Sequence, residues 1–373
     1  MTVVTRLASL VIILAFLTAS SAAKDMDGVH SSCTPSFPFQ EGWLGADVAS
    51  SVPLPDGRVF WIFGDTLFGE KRVVVGNDPV MTRNSIGIST CKEGKWSIEY
   101  TIRRDKGGKQ TDFFIPRKAN TWYWPLNGAY NKGELWVTLL CVRAVPNDAN
   151  FALGFAGCGA DLARVTGLDT ADPQKWKIEY QELVPDGMNS YPTADAVFHK
   201  GYLHVFSIND FGERSQVVTR IPVKGLKDVR KNLEYLASDG TWKPGFDAKS
   251  AKAVMVKGAS ELTIRYHPEL KKWLAVLFEP QWMSDKIILR TADDLTGPWT
   301  EGEVIHQVPE MKKENPGYDA DTFCYAAKEH REFEKPGELV FTYVCNSMKP
   351  PKVVDLLNIY FPQVVRKEIP KLK

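Results

Sequence analysis

A carboxylate that enters an apolar strand is costly to bury unless it is paired or put to use. Two such groups stand early in the chain: Asp47 in Gly45-Ala46-Asp47-Val48 and Asp65 in Phe63-Gly64-Asp65-Thr66. A third, Glu261, stands in Gly258-Ala259-Ser260-Glu261-Leu262. Two or three convergent carboxyl groups suit glycoside hydrolysis, in which one acid protonates the leaving oxygen while another activates water or attacks. Crowding raises the proton affinity of one acid and leaves its neighbour ionised, which separates the roles. Trp124 and Tyr191 offer aromatic faces on which the C–H surfaces of a sugar would stack. Asp65 also has a structural reading, because Gly and Asp commonly end strands.

Further polar residues surround these three. Asn209 and Asp195 follow the pattern of strand ends, and Asp195 either lies deeper on the same axis or caps a strand. Asp321, with Asp319 in Gly317-Tyr318-Asp319-Ala320-Asp321, would make a rim subsite or simply a loop. His330 is a candidate polarising group, against the commoner role of a satisfied structural histidine. Arg83-Asn84-Ser85 would hold a carboxylate or a sugar hydroxyl, or simply brace a loop, and Glu279 reads as a salt-bridge or surface residue. Other chemistries lack their residues. There is no Gly-x-Ser-x-Gly elbow, no His-Glu-x-x-His and no phosphate-binding loop. Six scattered histidines form no metal pattern, so neither metal nor cofactor is expected.

The elements that must position these groups repeat along the chain. A tight turn followed by an alternating apolar strand recurs near residues 57, 133, 201, 271 and 337, at separations of 66 to 76 residues. Each turn follows another apolar stretch, so each copy is a β-hairpin. Trp96-Ser97-Ile98-Glu99-Tyr100 and Trp176-Lys177-Ile178-Glu179-Tyr180 are near-copies. Only Leu226, Val229, Leu233 and Leu236 have helical spacing, which predicts one short helix between units. Five units of about four strands predict an all-β, five-bladed β-propeller over residues 24–373. The alternative is two stacked β-domains.

Residues equidistant from a hairpin turn face each other. Asp47 then opposes Asp65, Glu261 opposes Glu279, Tyr191 opposes Asn209, Ala326 opposes Asn346, and Trp124 roughly opposes Cys141. The inner strands of a propeller run the same way, so these open ends gather at one mouth.

Residues 1–23 carry one basic residue, Arg6, an apolar run over 7–17 and Ser21-Ala22-Ala23 before Lys24, the layout of a secretory signal. The remaining chain is electrically neutral, with 45 basic and 45 acidic residues. That argues against a nucleic-acid partner or a polybasic membrane anchor and fits a polysaccharide. The oligomeric state is open. Six cysteines in an exported chain favour disulfides. Cys324 and Cys345 nearly oppose each other across the last hairpin, which leaves Cys141–Cys158 and Cys33–Cys91 as the remaining guess.

Gly42-Trp43-Leu44-Gly45-Ala46-Asp47, Trp61-Ile62-Phe63-Gly64-Asp65-Thr66, Arg83-Asn84-Ser85 and Gly258-Ala259-Ser260-Glu261-Leu262 with Trp273 resemble the DUF 4185 domain family. Part of that family is glycoside hydrolase family 183, the endo-D-arabinofuranases. The resemblance implies a five-bladed hydrolase acting on a furanosidic polysaccharide, D-arabinan first. It implies Asp47 and Asp65 as the catalytic pair and Glu261 as a third carboxylate. Asp47 is expected as general base, Asp65 as proton donor or its tuner, and Glu261 in a supporting or acid role, without a fixed division. The rival reading is a non-catalytic carbohydrate-binding or adhesion propeller.

Overall fold

A computed structural model describes residues 26–76, 78–146, 154–188, 190–209, 213–281 and 283–371. The expected signal at 1–23 lies outside these residues.

Five antiparallel sheets surround one axis as the blades of a propeller. Blade 1 comprises Ser50–Pro53, Arg58–Phe63, Ser85–Lys92 and Lys95–Thr101. Blade 2 comprises Thr121–Asn131, Glu134–Ala144, Phe155–Thr166 and Lys177–Val184. Blade 3 comprises Asp195–His199, Tyr202–Asn209, Ser215–Pro222, Glu234–Leu236 and Trp242–Pro244. Blade 4 comprises Leu262–His267, Lys272–Phe278, Lys286–Ala292 and Glu303–Gln307. Blade 5 comprises Thr322–Glu329, Glu338–Ser347 and Gln363–Glu368. The five predicted turns are the connections between the first and second strand of each blade.

Strand position within a blade decides composition. A second strand is covered on both faces by neighbouring blades, so Val59-Phe60-Trp61-Ile62-Phe63 is buried throughout. An outer strand has one wet face, and Lys95–Thr101 accordingly alternates. Innermost strands face a narrow axis and carry polar side chains there, among them Ser51, Asn127, Asp195, Thr263 and Lys328, all buried.

Apolar clusters fill the gaps between successive blades. Phe60 and Ile62 meet Leu135, Val137 and Trp176 between blades 1 and 2. Trp136 and Leu162 meet Leu203 and Val205 between blades 2 and 3. Between blades 5 and 1, Trp61 and Phe63 meet Phe333 and Val340. Phe37 adds edge contacts to Trp61 and Phe63, with ring centroids 5.0 and 5.9 Å apart. The segment before blade 1 thus helps to close the ring. Arg366 of the last strand donates to the Cys33 carbonyl and the Thr34 hydroxyl across the same seam.

Three disulfides join Cys33–Cys91, Cys141–Cys158 and Cys324–Cys345, the pairing expected from the sequence. Cys324 and Cys345 are direct cross-strand partners in blade 5. Such bonds belong to an oxidising compartment. Among the described residues no helix is long and apolar enough to cross a membrane. The expected inter-unit helix is a single turn, Val229–Asn232, within blade 3, and Leu236 belongs to a strand. Leu226, Val229 and Leu233 are buried against blades 2 and 3, so their spacing reflects packing of a short connection.

Cys33–Cys91 spans 58 residues and ties the closing segment to blade 1. Replacing both with serine should cost about 2–4 kcal/mol of stability, the usual range for a lost native disulfide. Denaturant unfolding of the double variant measures it, and an unchanged midpoint would show that this bond does not help hold the seam.

Candidate active site

Asp47 and Asp65 flank the hairpin formed by the first two strands of blade 1 and meet because the backbone folds back between them. Trp43–Ala46 pairs with Thr66–Phe68, which pairs in turn with Met81–Thr82, and this small sheet leads into Asp47 and away from Asp65. The Gly64 amide donates to the Asp47 carbonyl at 3.2 Å. A side chain at Gly64 would place its Cβ 2.2 Å from Asp47 Oδ1, so only glycine admits this approach. Gly45, at φ 134°, lies as close to the Tyr360 carbonyl, with a virtual Cβ only 2.1 Å away. Val48 and Ala49 follow Asp47 with φ of 69° and 49°. Left-handed backbone at a β-branched residue is strained. Such strain tends to collect at functional sites, and here it turns Asp47 out of the strand path.

Each carboxyl group has its own donors. Tyr325 Oη, from the inner strand of blade 5, donates to Asp47 Oδ2 at 2.8 Å, and Asn346 Nδ2 donates to the same hydroxyl at 3.3 Å. Asp65 Oδ1 accepts from Trp124 Nε1 at 3.0 Å, and its Oδ2 accepts from Arg83 Nη1 at 3.3 Å. Tyr360 Oη donates to the Asp65 backbone carbonyl at 3.2 Å. Arg72 holds the loop that carries Tyr360: its buried guanidinium donates to the carbonyls of Leu44, Val353, Leu356 and Ile359.

Glu261 ends the segment before blade 4 and interacts electrostatically with Asp47, Tyr325 and Lys328. Its Oε2 is buried and has no hydrogen-bond partner among the described residues. Trp124 also packs edge-on against Phe155 at 4.7 Å and against Trp122 at 6.2 Å. Arg83 lies over the Trp122 ring at 4.6 Å. The mouth therefore has three acids on one side of an aromatic wall.

The three acids share too little solvent to ionise together. Burial raises Asp47 well above the ordinary carboxylate range, and the charges of Asp65 and Glu261 push it further; the Tyr325 hydroxyl offsets part of this. Burial raises Asp65 to about 6, against the opposing pull of Arg83 and the Trp124 N–H. Burial also raises Glu261, and Lys328 counters it. Near neutral pH the site thus keeps a proton on Asp47 beside an ionised Asp65.

The other expected residues are placed differently. Tyr191 packs on Gly157 in the wall between blades 2 and 3 and donates weakly to its carbonyl at 3.4 Å. Asn209 is buried and donates to the Ala248 carbonyl at 2.6 Å. Asp195 lies within the axis, bonded by the Ile264 amide at 2.6 Å, by Asn127 and by Arg265. Asp321 forms a rim ion cluster with Lys349, Lys352 and Asp319. His330 follows the far end of its inner strand, away from the mouth. It bonds Ser51 at 2.6 Å and Thr342 at 2.9 Å, and burial lowers it to about 3, so it is a neutral brace. Glu279 has Lys286 as its ion-pair partner at 3.6 Å.

Four hairpin alignments are shifted. Tyr123, not Trp124, opposes Cys141. Leu262 opposes Leu277, which displaces Glu261 from Glu279 by one position. Asp195 opposes Phe206, so Tyr191 and Asn209 are likewise out of line. Phe323, not Ala326, opposes Asn346: the turn is centred one residue earlier than expected, and a bulge in the inner strand of blade 5 between Tyr325 and Lys328 adds one further position. Sequence reasoning missed Tyr325, Tyr360 and Lys328; alternation with the disulfide position Cys324 was the available signal for Tyr325.

Among the described residues, one set brings potential metal ligands within 4.8 Å of one another: His267, Glu329 and Glu334. Arg331 Nη1 already donates to Glu334 at 2.9 Å and to His267 Nδ1 at 2.9 Å, while His267 Nε2 bonds Glu329 at 2.7 Å. The cation of this cluster is a guanidinium, and the donor set fits a structural ion network better than a metal.

A family model, Domain of unknown function (DUF5005), matches residues 36–362. The chain belongs to the DUF5005 family. The resemblance to the DUF 4185 family, and through it to glycoside hydrolase family 183, is thereby corrected. The motifs that suggested it are a strand-turn-strand bearing two acids, a local solution that different families can share. No curated protein sequence matches this DUF5005 chain. Among solved structures, a Bacteroides ovatus ATCC 8483 protein described provisionally as a hydrolase is similar at TM-score 0.66 and 16% identity, covering 87% of this chain and 86% of that one. Xylan β-1,4-xylosidase from Bacillus halodurans C-125 is similar at TM-score 0.50 and 9% identity, covering 90% of this chain and 54% of that one. At these identities the likeness is one of fold.

Asp65 binds its proton more tightly in the fold than in the unfolded chain, so the folded state takes up protons as pH falls. Stability therefore declines as pH rises from about 4 to about 6. Asp65→Asn should be more stable than wild type above pH 6 by about 1–3 kcal/mol, with the difference vanishing below about pH 4. Unfolding midpoints across that range measure it; a pH-independent difference would overturn the assignment.

Proposed function

We propose that this chain is an exported glycoside hydrolase that works at the mouth of the propeller axis. The observation that carries the reading is the meeting of Asp47, Asp65 and Glu261 beside the Trp124 wall, with unequal proton affinities. A binding module needs the aromatic wall but gains nothing from burying like charges together.

The hydrogen-bond donors favour a division of labour opposite to that expected from the sequence. Two N–H donors stabilise the Asp65 anion, whereas Asp47 feels the charges of two other carboxyl groups and keeps its proton. Asp47 then protonates the leaving glycosidic oxygen. Asp65 activates water or attacks the anomeric carbon, and Glu261 faces the positive charge that develops on the sugar ring. Trp124 serves twice, as a donor to Asp65 and as a surface for the sugar.

The substrate class is a neutral polysaccharide or its oligosaccharides, in keeping with the uncharged mature chain. D-arabinan loses its support with the family correction. Pentose chains remain the first to try, because the Bacillus halodurans xylosidase shares this fold.

Purified protein should release sugar from at least one member of a panel of arabinans, xylans and their oligosaccharides. Asp47→Asn and Asp65→Asn should each lower kcat by about 10²–10⁴-fold, the usual contribution of a general acid or base. The acid limb of the kcat/KM profile should fall near pH 6, where Asp65 gains its proton. Binding without release across the whole panel would favour the carbohydrate-binding reading.

A further inference from the structure

Lys328 is fully buried on the inner strand of blade 5. Its ammonium donates to the Leu126 carbonyl of blade 2 at 3.0 Å and to the Leu262 carbonyl of blade 4 at 3.3 Å, and it forms no direct ion pair among the described residues. A buried lysine held by carbonyls alone is expensive unless nearby charges repay the desolvation.

We propose that Lys328 is a positioning residue of the acid site: its ammonium, pinned across the axis by two other blades, is the fixed counter-charge that governs the protonation of Glu261. This rests on the hydrolytic reading only for its kinetic consequence.

Three observations support it. First, the blade 5 bulge lies directly before Lys328, with Ala326 at φ 56°, and this irregularity re-aims the side chain into the axis. Second, charges alternate below the mouth. Glu261 is followed by Lys328, then Asp195, then Arg265, whose Nη1 bonds both oxygens of Asp195 at 3.1 and 3.0 Å. Third, Glu261 has a buried oxygen without a hydrogen-bond partner, so its charge depends on through-space stabilisation. Burial lowers the proton affinity of Lys328, while Glu261 and Asp195 oppose that shift and Arg265 adds to it. The groups facing this pair are Asp47 from blade 1, Asp195 from blade 3, Arg265 from blade 4, and Tyr325 and His330 from blade 5; blade 2 contributes the Leu126 carbonyl and neutral Asn127.

The test uses the full chain with carbon-13 at the glutamate side-chain carboxyl, Glu261 being assigned by its loss in Glu261→Gln. Lys328→Gln keeps an N–H donor for one carbonyl and removes the charge. It should raise the titration midpoint of Glu261 by about one pH unit, tenfold in proton affinity, whereas Lys328→Arg should leave it within a few tenths. Coupling is reciprocal, so Glu261→Gln should weaken proton binding at Lys328 by a similar factor, read from carbon-13 at the lysine ε position. That measurement decides the matter alone should Lys328→Gln not fold. An unmoved Glu261 midpoint in Lys328→Gln, or an unmoved Lys328 in Glu261→Gln, overturns the proposal. In turnover, the pH limb abolished by Glu261→Gln should move upward in Lys328→Gln. If the wild type cleaves no glycan, the hydrolytic reading fails while the titrations still decide the role of Lys328.

Discussion

Convergence on a narrow axis is the constraint from which the rest follows. Five inner strands approach one another where little water fits, so their polar groups must be satisfied by other blades. Asp195 of blade 3 takes its bonds from blades 2 and 4. Lys328 of blade 5 bonds carbonyls of blades 2 and 4, and the Glu329 amide donates to Thr263 of blade 4 at 2.9 Å. His330 bonds Ser51 of blade 1 and so closes the circle. These cross-blade bonds fix how the blades meet, while the apolar clusters between second strands supply the bulk of the burial.

The same convergence creates the electrostatics of the mouth. Three acids stand where the axis opens, too poorly solvated to be charged at once, and of the three only Asp65 has a direct ion-pair partner among the described residues, Arg83. Their unequal donors then become decisive. A tyrosine hydroxyl beside Asp47 and two N–H groups at Asp65 give two chemically similar groups different proton affinities, while burial raises Glu261 against the charge of Lys328. The left-handed backbone at Val48 and Ala49 and the side-chain-free contact at Gly64 are local costs that hold this arrangement against the relaxed course of a strand.

Much of the fold was legible in the chain. Turns recur at an even spacing, and the apolar alternation around them depends only on local backbone geometry, so five hairpins and their outer near-copies could be recognised. Asp47 and Asp65 were legible for the same reason: they flank one hairpin, and a short turn leaves little freedom of register. Asp195 and His330 were harder. Asp195 lies on an inner strand and His330 just past the end of one, and nothing local distinguishes a group at the mouth from one sealed beneath it. Tyr325 and Lys328 were hidden by a bulge, which moves a side chain across the strand with no change in composition.

The sequence by itself determined the repeating units, the facing of Cys324 and Cys345 and the candidacy of the three acids, because these depend on local spacing or on contacts across one turn. Only the tertiary structure decided which polar residues share the mouth, which of the acids keeps its proton, and that a lysine occupies the axis. Those outcomes depend on groups brought together from different blades, where burial and through-space charge act over distances that no spacing along the chain records.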